Sequence, residues 1–160
     1  MRIISREDLE KILINHKHWV DEDCDGWETM KADLRGANLY GANLYEAKNI
    51  PYIPIACPDT GGFIAWKKAS GYIIKLYIPS DAKRVSAAGR KCRCDKATVV
   101  GIENKDGTAA NISEVHSDYD SKFIYRIHAH LEIPDFNENR WVECSQGIHF
   151  FINRQEAVEY

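Results

Sequence analysis

Six cations fall within fourteen residues of this chain: Lys83, Arg84, Arg90, Lys91, Arg93 and Lys96, opposed inside that span by Asp95 alone. The whole chain has a net charge of −3, so this stretch is a local concentration of positive charge in an acidic protein. Small residues, Ser86 to Gly89, separate its two basic clusters. A loop of that kind lets backbone N–H groups and guanidinium forks close on an anion, and arginine grips phosphate bidentately. If the stretch is extended, Arg90 and Cys92 share one face and Lys91 and Arg93 the other. Lys83, Arg84, Arg90, Lys91 and Arg93 are therefore candidate phosphate contacts. The competing reading is a solvated loop whose cations pair with the acidic stretches 21–25 and 114–120. The pattern GxxxxGK[ST] is absent, so nothing points to triphosphate hydrolysis.

His128 and His130 are the second candidate. On a strand, residues two apart project from one face, which makes a workable metal pair if a third ligand arrives from elsewhere. His116, Glu132, Cys144 and His149 are available, but their spacing selects none. A plainer reading is a partly solvated polar face with Arg126 and Glu132. A third lets Arg126, His128 and His130 add donors to the anion site of the basic loop. Ser145 lacks a GxSxG elbow, and any cysteine can be paired on paper with one of the six histidines. No catalytic residue, metal ligand or cofactor is therefore assigned. The five cysteines are odd in number and lack CxxC spacing, and read as reduced, mostly buried thiols.

Residues 5–20 read as a helix capped by Ser5, with Leu9, Ile12, Leu13, His16 and Trp19 or Val20 along one stripe. The acidic "DEDCDG" at 21–26 follows as a solvated loop without the ligand pattern of a calcium site. "PYIPIACPDTGG" is a connector rich in proline and glycine. Beyond it "GFIAWKK", "GYIIKLYIP", "KATVVGIEN", "KFIYRIHAHLEIP" and "GIHFF" read as strands, with a hairpin-type turn at "NKDGT". The stretch 122–134 looks the longest and cleanest, with Phe123, Tyr125, Ile127, Ala129, Leu131 and Ile133 on one face. Asn153 and Glu156 mark the start of a terminal helix.

Between helix and connector lies a five-residue repeat: Ala32-Asp33-Leu34-Arg35-Gly36, Ala37-Asn38-Leu39-Tyr40-Gly41, Ala42-Asn43-Leu44-Tyr45-Glu46 and a decayed copy ending at Ile50. It resembles the pentapeptide-repeat family, whose motif is A(D/N)LXX. The resemblance implies a square right-handed β-helix with leucine at its axis, of which this chain would hold about one turn. One turn buries its apolar face only if something caps it: the helix, the following domain, or a second copy of the chain. The expected fold class is thus α+β. An N-terminal helix and about one turn of pentapeptide-repeat β-helix occupy 1–51. A mainly antiparallel β-sheet domain with a C-terminal helix occupies 52–160.

"GIHFFINRQEAVEY" faintly resembles the "GIYFA…S…Y" segment of ADP-ribosyltransferases, with His149 on the position of the nicotinamide-stacking tyrosine. The expected preceding histidine is missing, Trp66 and Lys67 standing in that region, and no late catalytic glutamate follows. Nearly the whole chain, most specifically "IPSDAKR" and "GRKCRCDKA", resembles an uncharacterised domain of phage and bacterial pentapeptide-repeat proteins. That resemblance implies a phage or mobile-element setting and brings no activity.

The leading expectation is a non-enzymatic phage-type binding protein for a phosphate-bearing ligand, a nucleotide being the foremost example. One alternative is an assembly module, a homo-oligomer built through the coil with Tyr40 and Tyr45 exposed. Another is an NAD-using or metal-dependent enzyme at the His128/His130 face. No run of 18 apolar residues exists and "MRIISREDLEKIL" carries acids where a leader would be apolar. The expected place is the cytoplasm, the host's if the gene is phage-borne, with no membrane partner.

Overall fold

Antiparallel pairing of short strands builds the larger part of the molecule. The computed structural model describes residues 6–33 and 52–160. They belong to two units, one ending at Leu39 and one beginning at Tyr40. In the first, helix α1 (Arg6–Asp21) is followed by a 3₁₀ turn, Trp27–Thr29. Its expected cap, Ser5, lies outside the described residues. His16 stacks on Trp19 at 5.2 Å, and the Lys31 ammonium lies 4.7 Å from the Trp19 ring.

The second unit holds β1 (Phe63–Ala69), β2 (Tyr72–Ile78), β3 (Arg84–Ser86), β4 (Cys92–Cys94), β5 (Lys96–Glu103), β6 (Glu114–His116), β7 (Ile124–Arg126), β8 (His130–Glu132), β9 (Ile148–Phe150) and helix α2 (Arg154–Glu159). They form three antiparallel sheets: β1-β2-β5-β8, β3-β4-β9 and β6-β7. Backbone bonds exchanged between Trp66 and Phe151 join the first sheet to the second.

Sequence explains much of this. β1 and β2 are joined by Ser70 and Gly71, both with positive φ (48° and 82°), the backbone of a tight primed turn. Ser70 tolerates it because its N–H donates to Asp118 Oδ1 and its hydroxyl to the His116 carbonyl. In β2, Ile73, Ile74, Leu76 and Ile78 are all fully buried. Ile74, Leu76 and Ile78 join Val99, Ile148 and Phe150 in one core cluster, each large side chain contributing about 1.5–3 kcal/mol of apolar burial. Asn153 caps α2 by accepting from the Gln155 N–H.

Two expectations need correction. The fold class included a turn of pentapeptide-repeat β-helix. The described residues form three antiparallel sheets with helices towards the two ends of the chain, and none of these sheets is a solenoid. The fold rests on strand pairs within 63–150, which supply their own core, whereas a repeat unit needs stacked neighbours. Most of the repeat, residues 34–50, including Tyr40 and Tyr45, lies outside the described residues. The second correction concerns 122–134, which is two strands in two different sheets. His128 takes φ 69°, and the Ala129 N–H turns back to the Arg126 carbonyl at 2.9 Å. β7 pairs with β6, and β8 with β5. Period-two alternation reports which side is buried, not which strand lies alongside.

No helix among the described residues is long and apolar enough to cross a membrane.

Candidate functional site

The basic stretch does not gather on one ligand position. Arg93 on β4 is 3% exposed, and its guanidinium donates to four carbonyls: Asn137 at 2.7 Å, Gln146 at 2.9 Å, and Asn139 and Val142 at 3.0 Å. It also covers the Phe136 ring. Gly147 passes so close that a Cβ there would lie 3.3 Å from the Cβ of Arg93 and 3.1 Å from Phe136. Arg84 on β3 does a parallel job, donating to the carbonyls of Pro58, Gly61, Pro79, Ser80 and Ala82. These two forks satisfy loop carbonyls that have no strand partner.

The other candidates face carboxylates or loops. Lys83 pairs with Glu138, Arg90 with Glu156 at 2.8 Å, and Arg126 with Glu114 at 2.7 Å. Lys96, the sixth cation, pairs with Asp81. His128 is exposed in its turn, and His130 Nδ1 meets Thr98 Oγ1 at 2.9 Å. Neither belongs to a cluster of metal-type donors among the described residues; the cluster there joins His18, Asp23 and Cys24, within 4.8 Å of one another in the first unit. Of the eight proposed contacts, Lys91 lines a cavity formed by described residues.

That cavity, about 430 Å³, opens in the second unit. The β6–β7 turn contributes Ser117, Tyr119 and Asp120, and β7 with its approach contributes Phe123 and Tyr125. Ile133 and Asp135 come from the segment after β8, and Cys144 to Gly147 from the loop that Arg93 holds. Lys67, Lys91 and His149 complete the lining. A smaller recess of about 150 Å³ shares Lys67, Lys91, Tyr119 and His149 with it and adds Asp118 and Tyr160.

Lys67 is the unusual group. It sits in mid β1, paired with Ile74, and is 8% exposed. Its ammonium makes no hydrogen bond or ion pair with the described residues; the centroid of the Tyr125 ring lies 5.7 Å from its nitrogen. Burial pulls its pKa down from 10.5 to about 8; Asp118 opposes that and Lys91 adds to it. The Lys91 ammonium lies 3.3 Å from the Tyr160 hydroxyl and 3.6 Å from Cys144 Sγ. Burial works against its charge, but the bond to Tyr160 and neighbouring Cys144 and Glu143 outweigh this, so its pKa is raised.

His149, paired with Arg93 across β9 and β4, is held neutral. Burial lowers its pKa to about 4 despite a bond to the Glu143 carbonyl, and Lys67, Lys91 and Arg93 add to the effect. That bond, 3.1 Å from Nε2, fixes the tautomer: a carbonyl only accepts, so Nε2 carries the proton and Nδ1 keeps its lone pair. The cavity thus offers one firm cation, one amine without a hydrogen-bond partner among the described residues, an imidazole acceptor, two carboxylates and aromatic walls.

Sequence reading missed Lys67, although a signal was present. Ala65, Lys67 and Ala69 alternate onto the buried side of β1. A lysine between two alanines on an inward face has space around its head group and little else to meet.

Residues 53–157 match a family described as "Family of unknown function (DUF5758)". The chain belongs to this family. The match takes in every strand, the cavity and most of α2, and begins after the alanine-leucine repeat. The DUF5758 region therefore accounts for the expected uncharacterised domain, and no comparison identifies the repeat as pentapeptide-type. No curated protein and no solved structure matches the chain.

Proposed function

We propose that the second unit binds a small organic anion, phosphate-bearing and of mononucleotide size, in the cavity lined by Lys67 and Lys91. The observation that carries this reading is Lys67, a residue nine-tenths buried at the cavity wall, whose ammonium has no hydrogen-bond or ion-pair partner among the described residues. An unpaired buried charge is costly, and a ligand anion would remove that cost. Lys91 would supply the second cation. Asp120, Asp135 and the His149 lone pair suit hydroxyl or amine donors, and Phe123 and Tyr125 suit a flat ring. The cavity lies within the volume range usual for small-molecule sites, roughly 300–1,000 Å³.

The test is thermal unfolding of the full chain with AMP and, separately, with inorganic phosphate. AMP is expected to raise the midpoint in the native protein and to lose that effect in Lys67→Met and in Lys91→Met. An AMP shift that survives both substitutions would overturn the reading.

A further inference from the structure

Lys67 has a second capacity, which rests on the reading of this cavity as an anion site. We propose that the Lys67 side-chain nitrogen condenses with the aldehyde or keto group of a carbonyl-bearing acid, whose anionic group Lys91 holds. The substrate class is then a small oxo acid or a phosphorylated aldehyde.

The geometry supports this in three ways. No described residue hydrogen-bonds the Lys67 nitrogen, so loss of its own proton is the one step required before it attacks. It faces the cavity, with the Tyr125 ring 5.7 Å away, in surroundings that disfavour the ammonium form. A second cation, Lys91, lines both the cavity and the smaller recess beside it, which places an acid-binding group close to the amine. An amine that is desolvated and also neighbours another cation is the arrangement that activates lysine for carbonyl chemistry. With its pKa drawn down to about 8, about a tenth of Lys67 is neutral amine at pH 7. An ordinary lysine is neutral in under a thousandth of molecules.

The step balances without an added reagent. The amine nitrogen bonds to the carbonyl carbon, giving a carbinolamine. The carbon–oxygen bond then breaks, and the oxygen leaves as water carrying the two amine hydrogens. An imine remains, and no electrons are gained or lost. The apolar walls, Phe123, Tyr125 and Ile133, disfavour the returning water.

Full-length protein is incubated at pH 8 with glyoxylate, which joins an aldehyde to a carboxylate, and cyanoborohydride, which reduces an imine in place. Peptide mass mapping then reads carboxymethylation at each lysine. Lys67 is expected to react at least about tenfold faster than the exposed Lys11 and Lys83. Lys67→Met removes that product. Lys91→Met slows labelling at Lys67 several-fold, and propionaldehyde, lacking an acid group, labels Lys67 less than glyoxylate does. Labelling of Lys67 no faster than of the exposed lysines overturns the inference, as does a rate at Lys67 indifferent to Lys91. The AMP shift, measured without reductant, separates the two ideas. If it persists while Lys67 stays unlabelled, the anion site stands and the imine falls. If neither is seen, both fall.

Discussion

The basic stretch and the cavity use positive charge in opposite ways. Arg84 and Arg93 are surrounded by carbonyl oxygens, with five and four acceptors respectively. Lys67 is buried like Arg93, and among the described residues its ammonium has no acceptor. The difference shows that a density of cations in sequence says little about vacancy. Arginine's planar fork suits it to stitching loops, and the stretch richest in arginine is therefore consumed by the fold. An isolated lysine on an inward strand face is left with an unmet demand.

The sharpest way to break the comparison is Arg93→Met. It leaves the carbonyls of Asn137 and Val142 without the donor shown for them, while those of Asn139 and Gln146 keep a backbone N–H, and a loss of about 3 kcal/mol in denaturant unfolding is expected. A loss below about 1 kcal/mol would mean the clamp is dispensable.

Lys67→Met should act in the reverse direction. The pKa of Lys67 is lower folded than unfolded, so the folded state binds fewer protons between about pH 8 and 10.5. The charge penalty is full below pH 8, and it fades as pH rises towards 10.5. The substitution should therefore stabilise the protein by about 3 kcal/mol at pH 7, with the gain shrinking towards pH 10. A destabilised variant at pH 7 would place Lys67 with the clamps. Arg84→Lys keeps the charge but cannot reach its five carbonyls, and a loss of about 2 kcal/mol is expected by the same measurement.

Two smaller effects sharpen the edges of the contrast. His128→Gly relieves a left-handed residue and should leave stability within about 1 kcal/mol of native or improve it. Arg126→Ala breaks an exposed pair with Glu114 and should cost under about 1 kcal/mol, less in high salt.

Much of the strand framework was legible in the residues. The β1–β2 hairpin, β5, β9 and the Asn153 cap carry local signals: alternation, glycine at the turns, a side chain that bonds its own helix start. The break at His128 carried none, because a histidine in a left-handed turn is chosen by the two sheets that it connects. Of the candidate cavity's lining, one proposed anion contact, Lys91, was named from the sequence. Charge counting could not find the rest, since a salt-bridged or carbonyl-bound arginine and a ligand-binding one share the same letter. Lys67 was hidden for the opposite reason: one lysine in a strand looks like a solvent-facing position until its neighbours on the same face, Ala65 and Ala69, are considered with it.

The Arg93 clamp has a kinetic consequence. One guanidinium engages carbonyls spread over residues 137–146, so that segment cannot release the arginine a residue at a time. It should open as a block, and its amides, from Asn137 through Gln146, should exchange their hydrogens with a common free energy of opening. A wall that detaches as a whole makes entry to the space behind it an all-or-none event, whose frequency is set by a side chain that need never touch what enters.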